Sequence, residues 1–183
     1  MTTSNEWYHD SADVAKMKIL IIDDEPLNVE LLKEILLENG YTNIEALTDS
    51  KVALETCTHS QPDLILLDLM MPPPDGFAVL DSLRADYFQT FLPIIALTAD
   101  TTGETRRRAL DAGATDFLTK PFDHTEVVLR IRNLLRTVRA HRLLDNQRAA
   151  FEDALRERTS ELRATILELQ RARHLPLPEK PHP

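Results

Sequence analysis

The sequence predicts an α/β protein: a five-stranded doubly wound parallel sheet followed by a long C-terminal α-helix that forms a coiled coil. Short apolar runs alternate with helical patterns, five of each, which is the order that gives a parallel sheet covered by helices on both faces. The runs are continuous rather than alternating apolar and polar, as in strands buried on both sides. Residues 123–173 contain neither Gly nor Pro, and apolar side chains recur there in seven-residue steps.

The first strand is predicted over residues 17–23 (MKILIID), where four apolar residues end at an acid. A helix follows, because Pro26 suits a first helical turn, Val29, Leu32, Ile35 and Leu36 recur at helical spacing, and Gly40 is placed to end it. The same unit repeats, with strands near 43–48, 63–68, 93–98 and 115–119 and helices near 50–59, 76–86, 102–112 and from 123 onward. The chain divides into a polar leader (1–16), the α/β domain (17–138), a helical extension continuous with the last domain helix (139–173) and a Pro-rich tail (174–183).

Composition bounds the functions open to this chain. Its 183 residues suit one domain with an appendage, and no apolar run approaches the ~20 residues that span a bilayer, so no membrane role and a cytoplasmic location are expected. Cys57 is the single cysteine, so no intrachain disulfide can form and a reducing compartment is the simpler setting. Residues 1–120 hold 9 Lys/Arg against 21 Asp/Glu, whereas residues 121–183 hold 12 against 9. The acidic part argues against nucleic acid there. The basic run Arg130, Arg132, Arg136, Arg139 and Arg142 is read as solvated or as contacting acidic domain surfaces in preference to DNA. The six histidines show no paired metal spacing.

In a doubly wound sheet, function collects beyond the carboxyl ends of the strands, near the point where strand order reverses. On that rim the sequence places Asp23 and Asp24 after the first strand, Asp68 at the end of the third, Thr98 at the end of the fourth and Lys120 after the fifth. Clustered carboxylates repel, and a hard divalent cation such as Mg²⁺, which keeps waters and takes few carboxylates, is the natural compensation. With such a cation in place, Asp68 could attack a phosphoryl donor while Lys120 and the Thr98 hydroxyl hold the remaining phosphoryl oxygens. The product is an aspartyl phosphate.

These residues in this order resemble the receiver domains of two-component response regulators. The resemblance covers about residues 17–138 and rests on Asp23-Asp24, Asp68, Met71-Pro72 with Asp75-Gly76, Thr98-Ala99 thirty residues beyond Asp68, and Lys120-Pro121-Phe122. It implies a flavodoxin-like receiver fold and a phosphoprotein that takes its phosphoryl group on Asp68 from a histidine kinase or histidine phosphotransfer protein. It implies Mg²⁺ held by Asp24, Asp68 and the Met70 main-chain carbonyl, with Asp23 acting mainly through water. Lys120 pairs with the phosphoryl group, Thr98 swings its hydroxyl onto it, and Phe117 turns inward in concert. Met70 and Asp100 stand at positions that tune the phosphoryl lifetime. The resemblance implies no enzyme activity beyond self-phosphorylation from a donor and loss of the protein's own phosphoryl group. In LDLMMPPPDG, the successive prolines Pro72, Pro73 and Pro74 restrict the loop behind Asp68.

The C-terminal helix is expected to make a parallel homodimer. Val127, Leu134, His141, Arg148, Leu155, Leu162 and Leu169 form a seven-residue ladder, with Leu144, Phe151 and Ile166 on or near the same seam. His141 and Arg148 interrupt one row and Arg158 and Thr165 the other, so pairing before residue 150 is loose. At ~1.5 Å per residue the helix would reach roughly 75 Å. The segment is similar to signalling helices that join receivers to output domains, such as cyclic-di-GMP phosphodiesterases of the HD-GYP type and diguanylate cyclases. Three functions follow: a phosphorylation switch relayed through a dimerising helix to a downstream protein, the regulatory part of a larger cyclic-di-GMP enzyme, or a coiled-coil scaffold with little dependence on phosphate.

Overall fold

The computed structural model describes residues 13–87, 91–100 and 102–173. Trp7 and Tyr8 of the leader and the Pro-rich tail lie outside the described residues. The described chain runs β1 (Ile19–Ile22), α1 (Pro26–Glu38), β2 (Ile44–Leu47), a 3-10 turn (Ser50–Val52) leading into α2 (Ala53–Ser60), β3 (Leu64–Asp68), α3 (Gly76–Asp86), β4 (Ile94–Thr98), α4 (Gly103–Asp111), β5 (Asp116–Thr119) and α5 (His124–Arg173). All five strands pair in parallel in the order β2-β1-β3-β4-β5. The order reverses between β1 and β3, so the carboxyl ends of these two strands flank the natural crevice.

Two hydrophobic layers hold the sheet. Alternate strand residues Ile19, Ile21, Leu64, Leu66, Ile95 and Leu97 face α1 and α5, meeting Val29, Leu32, Ile35 and Leu36 on one helix and Val127, Ile131, Leu135 and Val138 on the other. Their neighbours Leu20, Ile22, Ile65, Leu67, Ile94 and Ala96 face the opposite way, against Cys57 of α2, Val79, Leu80 and Leu83 of α3 and Ala109 of α4. The period of two along each strand thus sends successive residues to opposite cores, which is why no strand carries an exposed apolar face to mark its alternation.

Local signals set the element ends. Pro26 opens α1, and the chain leaves that helix through Gly40, whose φ of +86° is open to a residue without a Cβ. Asp75 caps α3 by accepting a hydrogen bond from the Ala78 amide at 2.8 Å. Arg84 of α3 ties the far edge of the sheet together, donating to the Leu92 and Gly113 carbonyls at 2.7 Å each.

The chain separates into two units, the first ending at His141 and the second starting at Arg142. Val14, assigned by sequence to the polar leader, is buried in the layer beneath α1 and α5. Past residue 138, Arg139 pairs with Asp13 at 3.6 Å and the His141 ring stacks on Phe91 with centroids 4.4 Å apart. The α/β unit therefore reaches three residues beyond the expected boundary. In the second unit Leu144, Phe151, Leu155, Leu162, Ile166 and Leu169 are each between 51 and 66% exposed. Three of its guanidiniums are paired along the same helix, Arg148 with Glu152, Arg156 with Asp153 and Arg158 with Glu161.

Candidate phosphoacceptor site

The strand ends bring together the residues that the sequence placed on the rim. Asp23 directly follows β1, Asp68 closes β3, Thr98 closes β4 and Lys120 directly follows β5 across a cis peptide bond to Pro121. Carboxylate oxygens of Asp23, Asp24 and Asp68 lie within 4.8 Å of one another, an all-oxygen donor set of the kind a hard divalent cation takes. Asp24 is the partly exposed member at the mouth, whereas Asp23 and Asp68 are buried.

Lys120 neutralises the two buried acids. Its Nζ donates to Asp23 Oδ2 and to Asp68 Oδ2, each at 2.7 Å, so one ammonium bridges both carboxylates. Burial by itself would drive the ammonium toward neutrality, but the hydrogen bonds to Asp23 and Asp68, with the field of their charges, outweigh it and hold Lys120 above the ordinary lysine value. Asp68 is fixed by a second contact, since the Met70 amide donates to Asp68 Oδ1 at 3.0 Å. Met70 itself turns its side chain out to solvent at 66% exposure.

Asp23 is more constrained still. Its Oδ1 accepts from the Glu25 amide at 2.9 Å and from Asn28 Nδ2 at 3.1 Å, and its Oδ2 accepts from Asn28 Nδ2 at 3.2 Å and from Lys120. Nothing in the sequence singled out Asn28. An Asn early in a helix reads as a solvated or capping residue, and only the turn from β1 into α1 aims its amide back at the acid.

Gly76 is set by a different constraint. A Cβ built on it would stand 2.0 Å from the Asp68 carbonyl oxygen and 2.5 Å from Leu69 Cα, so the start of α3 lies directly on the backbone at the end of β3. Ser50 braces the proline loop on its other side, donating to the Pro72 carbonyl at 3.4 Å.

The remaining expected residues lie around this core. The Thr98 side chain is buried, and its Oγ1 accepts a hydrogen bond from the Asp100 amide at 3.0 Å. Asp100 turns its carboxylate to the start of α4, accepting from the Thr102 amide, the Thr102 hydroxyl and the Thr105 hydroxyl. These bonds, Thr105 foremost, keep its carboxyl below the ordinary aspartate value. Phe117 of β5 is half-buried, with the guanidiniums of Arg106 and Arg130 over its ring at 5.2 and 5.5 Å. Arg130 is anchored by Asp116 and Glu126, which gives part of the basic run acidic partners on the domain. Cys57 is fully buried, and burial, with a smaller contribution from Glu45, pushes its thiol up to about 12, so it is not a thiolate near neutrality.

The family model of the response regulator receiver domain matches residues 19–132. The chain belongs to this family. Among curated relatives, the probable transcriptional regulatory protein TcrX of Mycobacterium tuberculosis is 39% identical over 125 residues, covering 68% of this chain and 52% of that protein. Response regulator PleD of Caulobacter vibrioides is 41% identical over 120 residues, covering 65% of this chain and 26% of that protein. The chain thus spans about half the length of TcrX and a quarter of that of PleD. A putative response regulator from Chloroflexus aurantiacus superposes with a TM-score of 0.62 at 31% identity, covering 66% of this chain and 98% of that one. The Francisella response regulator 1452 receiver domain does so with a TM-score of 0.61 at 33% identity, covering 67% and 98%. The protein is therefore a two-component receiver, with an acidic pocket where receivers bind Mg²⁺. Receivers of this family work with histidine kinases or phosphotransfer proteins. Among the described residues no helix is long and apolar enough to cross a membrane.

Proposed function

We propose that this receiver accepts a phosphoryl group on Asp68 from a histidine kinase or histidine phosphotransfer protein and relays the change through the exposed stripe of α5. The observation that carries the reading is Lys120 bridging Asp68 and Asp23 at 2.7 Å each, beside a third acid at the mouth. A carboxylate held in that position is poised to attack. An Asp68 oxygen forms the bond to phosphorus, and the bond from phosphorus to the donor breaks, its electron pair leaving with the donor group.

Asp24, Asp68 and the Met70 carbonyl would hold Mg²⁺, which supplies charge neutralisation for the transferred group. Lys120 moves its hydrogen bond from the Asp68 carboxylate to a phosphoryl oxygen. The Thr98 hydroxyl exchanges its contact with the Asp100 amide for the phosphoryl group, and Phe117 turns inward from beneath Arg106 and Arg130. Each guanidinium contact is of a size, ~0.5–1 kcal/mol, that sets a bias between two states without locking either. Met70, with no side-chain hydrogen bond to offer, and Asp100, with an exposed carboxylate, set how quickly the phosphoryl group is hydrolysed. Gaining and losing this group is the turnover proposed for the receiver.

The output is a parallel homodimer. Leu155, Leu162 and Leu169 form one row and Leu144 and Phe151 begin the other, with Ile166 on the flank; side chains 51–66% exposed along one helix are the surface a second copy would cover. A downstream protein then reads the paired helices. Incubation of the wild type and Asp68→Asn with acetyl phosphate and Mg²⁺ tests the switch: one phosphoryl group on the wild type and none on the variant is expected, and an unmodified wild type rejects it in favour of a scaffold.

A further inference from the structure

We infer that Asn28 is a positioning residue for phosphoryl transfer, acting on Lys120 and Asp68 through Asp23. This rests on Asp68 being the phosphoacceptor. The Asn28 amide donates to both oxygens of a carboxylate that is 0% exposed, at 3.1 and 3.2 Å. The Glu25 amide and Lys120 supply the other donors, and together these contacts fill the ordinary acceptor positions of Asp23. With its lone pairs committed to protein donors, Asp23 is withheld from direct metal coordination although it lies within 4.8 Å of the other two acids. Its task is to fix Lys120.

Asn28 completes the set of donors on that carboxylate. The Glu25 amide reaches Oδ1 alone and Lys120 reaches Oδ2 alone, whereas Asn28 Nδ2 reaches both. Without it each oxygen keeps one donor and gains an open acceptor position, so the carboxylate can shift, Oδ2 can leave the line to Nζ, and an Asp23 oxygen can swing toward the metal position as a competing ligand. Asn28 sits in the first turn of α1, beside Val29 and one turn before Leu32, both buried in the core, so its own placement is rigid. A hydrogen-bond donor without charge suits the role, because a second cation there would compete with Lys120 for the same two carboxylates.

This role separates two quantities that a loosened site would lose together. In Asn28→Ala, the rate constant for phosphorylation at saturating acetyl phosphate should fall about tenfold, as expected when a reacting group is mispositioned by less than 1 Å. Mg²⁺ affinity, measured on the unphosphorylated protein by isothermal titration calorimetry, should stay equal to wild type or tighten, because the freed Asp23 carboxylate can now reach the ion. Asn28→Ser, which keeps a shorter donor, should fall between the two in rate and serves if the Ala variant does not fold. A wild-type rate in Asn28→Ala, or a rate and a Mg²⁺ affinity that fall by the same factor, overturns the inference while leaving Asp68 as phosphoacceptor. A wild-type protein that takes no phosphoryl group removes that parent reading, and this one with it.

Discussion

Gly76→Ala is the most exposing perturbation of the loop behind Asp68, because two physical effects oppose each other and the structure says which wins. Ala is the better helix former by up to ~1 kcal/mol, so at an open helix start the substitution would stabilise. Here the added Cβ would meet the Asp68 carbonyl oxygen at 2.0 Å, Leu69 Cα at 2.5 Å and the Asp68 carbonyl carbon at 2.8 Å, all backbone atoms of the last residue of a buried strand or of the residue after it. None can rotate away as a side-chain tip would. Relief requires α3 to retreat by roughly 1 Å, which strains its contacts through Val79, Leu80 and Leu83 and costs about 1–3 kcal/mol or more. At ~3–5 °C per kcal/mol for a domain of this size, the melting temperature should fall by roughly 6 °C. Thermal unfolding followed by circular dichroism measures it. A Gly76→Ala variant that melts at or above the wild-type temperature would show that α3 does not press on the end of β3 and would refute this reasoning.

Other outcomes follow from the same geometry. Lys120→Met leaves the buried Asp23 and Asp68 carboxylates without their shared cation and should cost about 3 kcal/mol in urea unfolding; a loss under 1 kcal/mol would mean the bridge is not formed. Lys120 sits above its ordinary value of 10.5, so its contribution to stability is complete below pH 10.5 and is lost as pH rises through the higher folded value. Unfolding midpoints between pH 9 and 12 should decline more in the wild type than in Lys120→Met, and parallel curves would contradict the sign. Asp100→Ala should change the rate at which phosphorylated protein loses its group; an unchanged rate removes Asp100 from lifetime control. Leu155→Glu with Leu162→Glu in the full chain should give a monomer by light scattering, and a persisting dimer would move the pairing surface onto the receiver.

Much of this was legible in the sequence because the decisive residues follow buried strands. An apolar run that ends in an acid, as at Ile22-Asp23 and Leu67-Asp68, announces both the strand and the rim, and Pro26 and Gly40 mark the helix between. The clustering of Asp23, Asp24, Asp68 and Lys120 at one rim could therefore be read from order and spacing. Asn28 could not, since its role depends on where α1 turns back over Asp23, a three-dimensional fact with no pattern in one dimension. Gly76 was legible as a turn residue but not as a residue lying against the Asp68 carbonyl. Val14 was hidden by its polar neighbours. His141 was assigned to the heptad ladder, whereas its ring lies on Phe91, a pairing between residues fifty apart in the chain.

The C-terminal helix was legible in another way. Its seven-residue ladder is plain in the sequence, and the structure leaves that stripe exposed along residues 144–169.

The most direct test of the central claim is mass spectrometry of the intact protein after incubation with acetyl phosphate and Mg²⁺, comparing wild type with Asp68→Asn. One phosphoryl group on the wild type, lost on raising the pH as an acyl phosphate is, and none on the variant is the expected result. A wild type that gains nothing, or a variant that gains as much as the wild type, would contradict it.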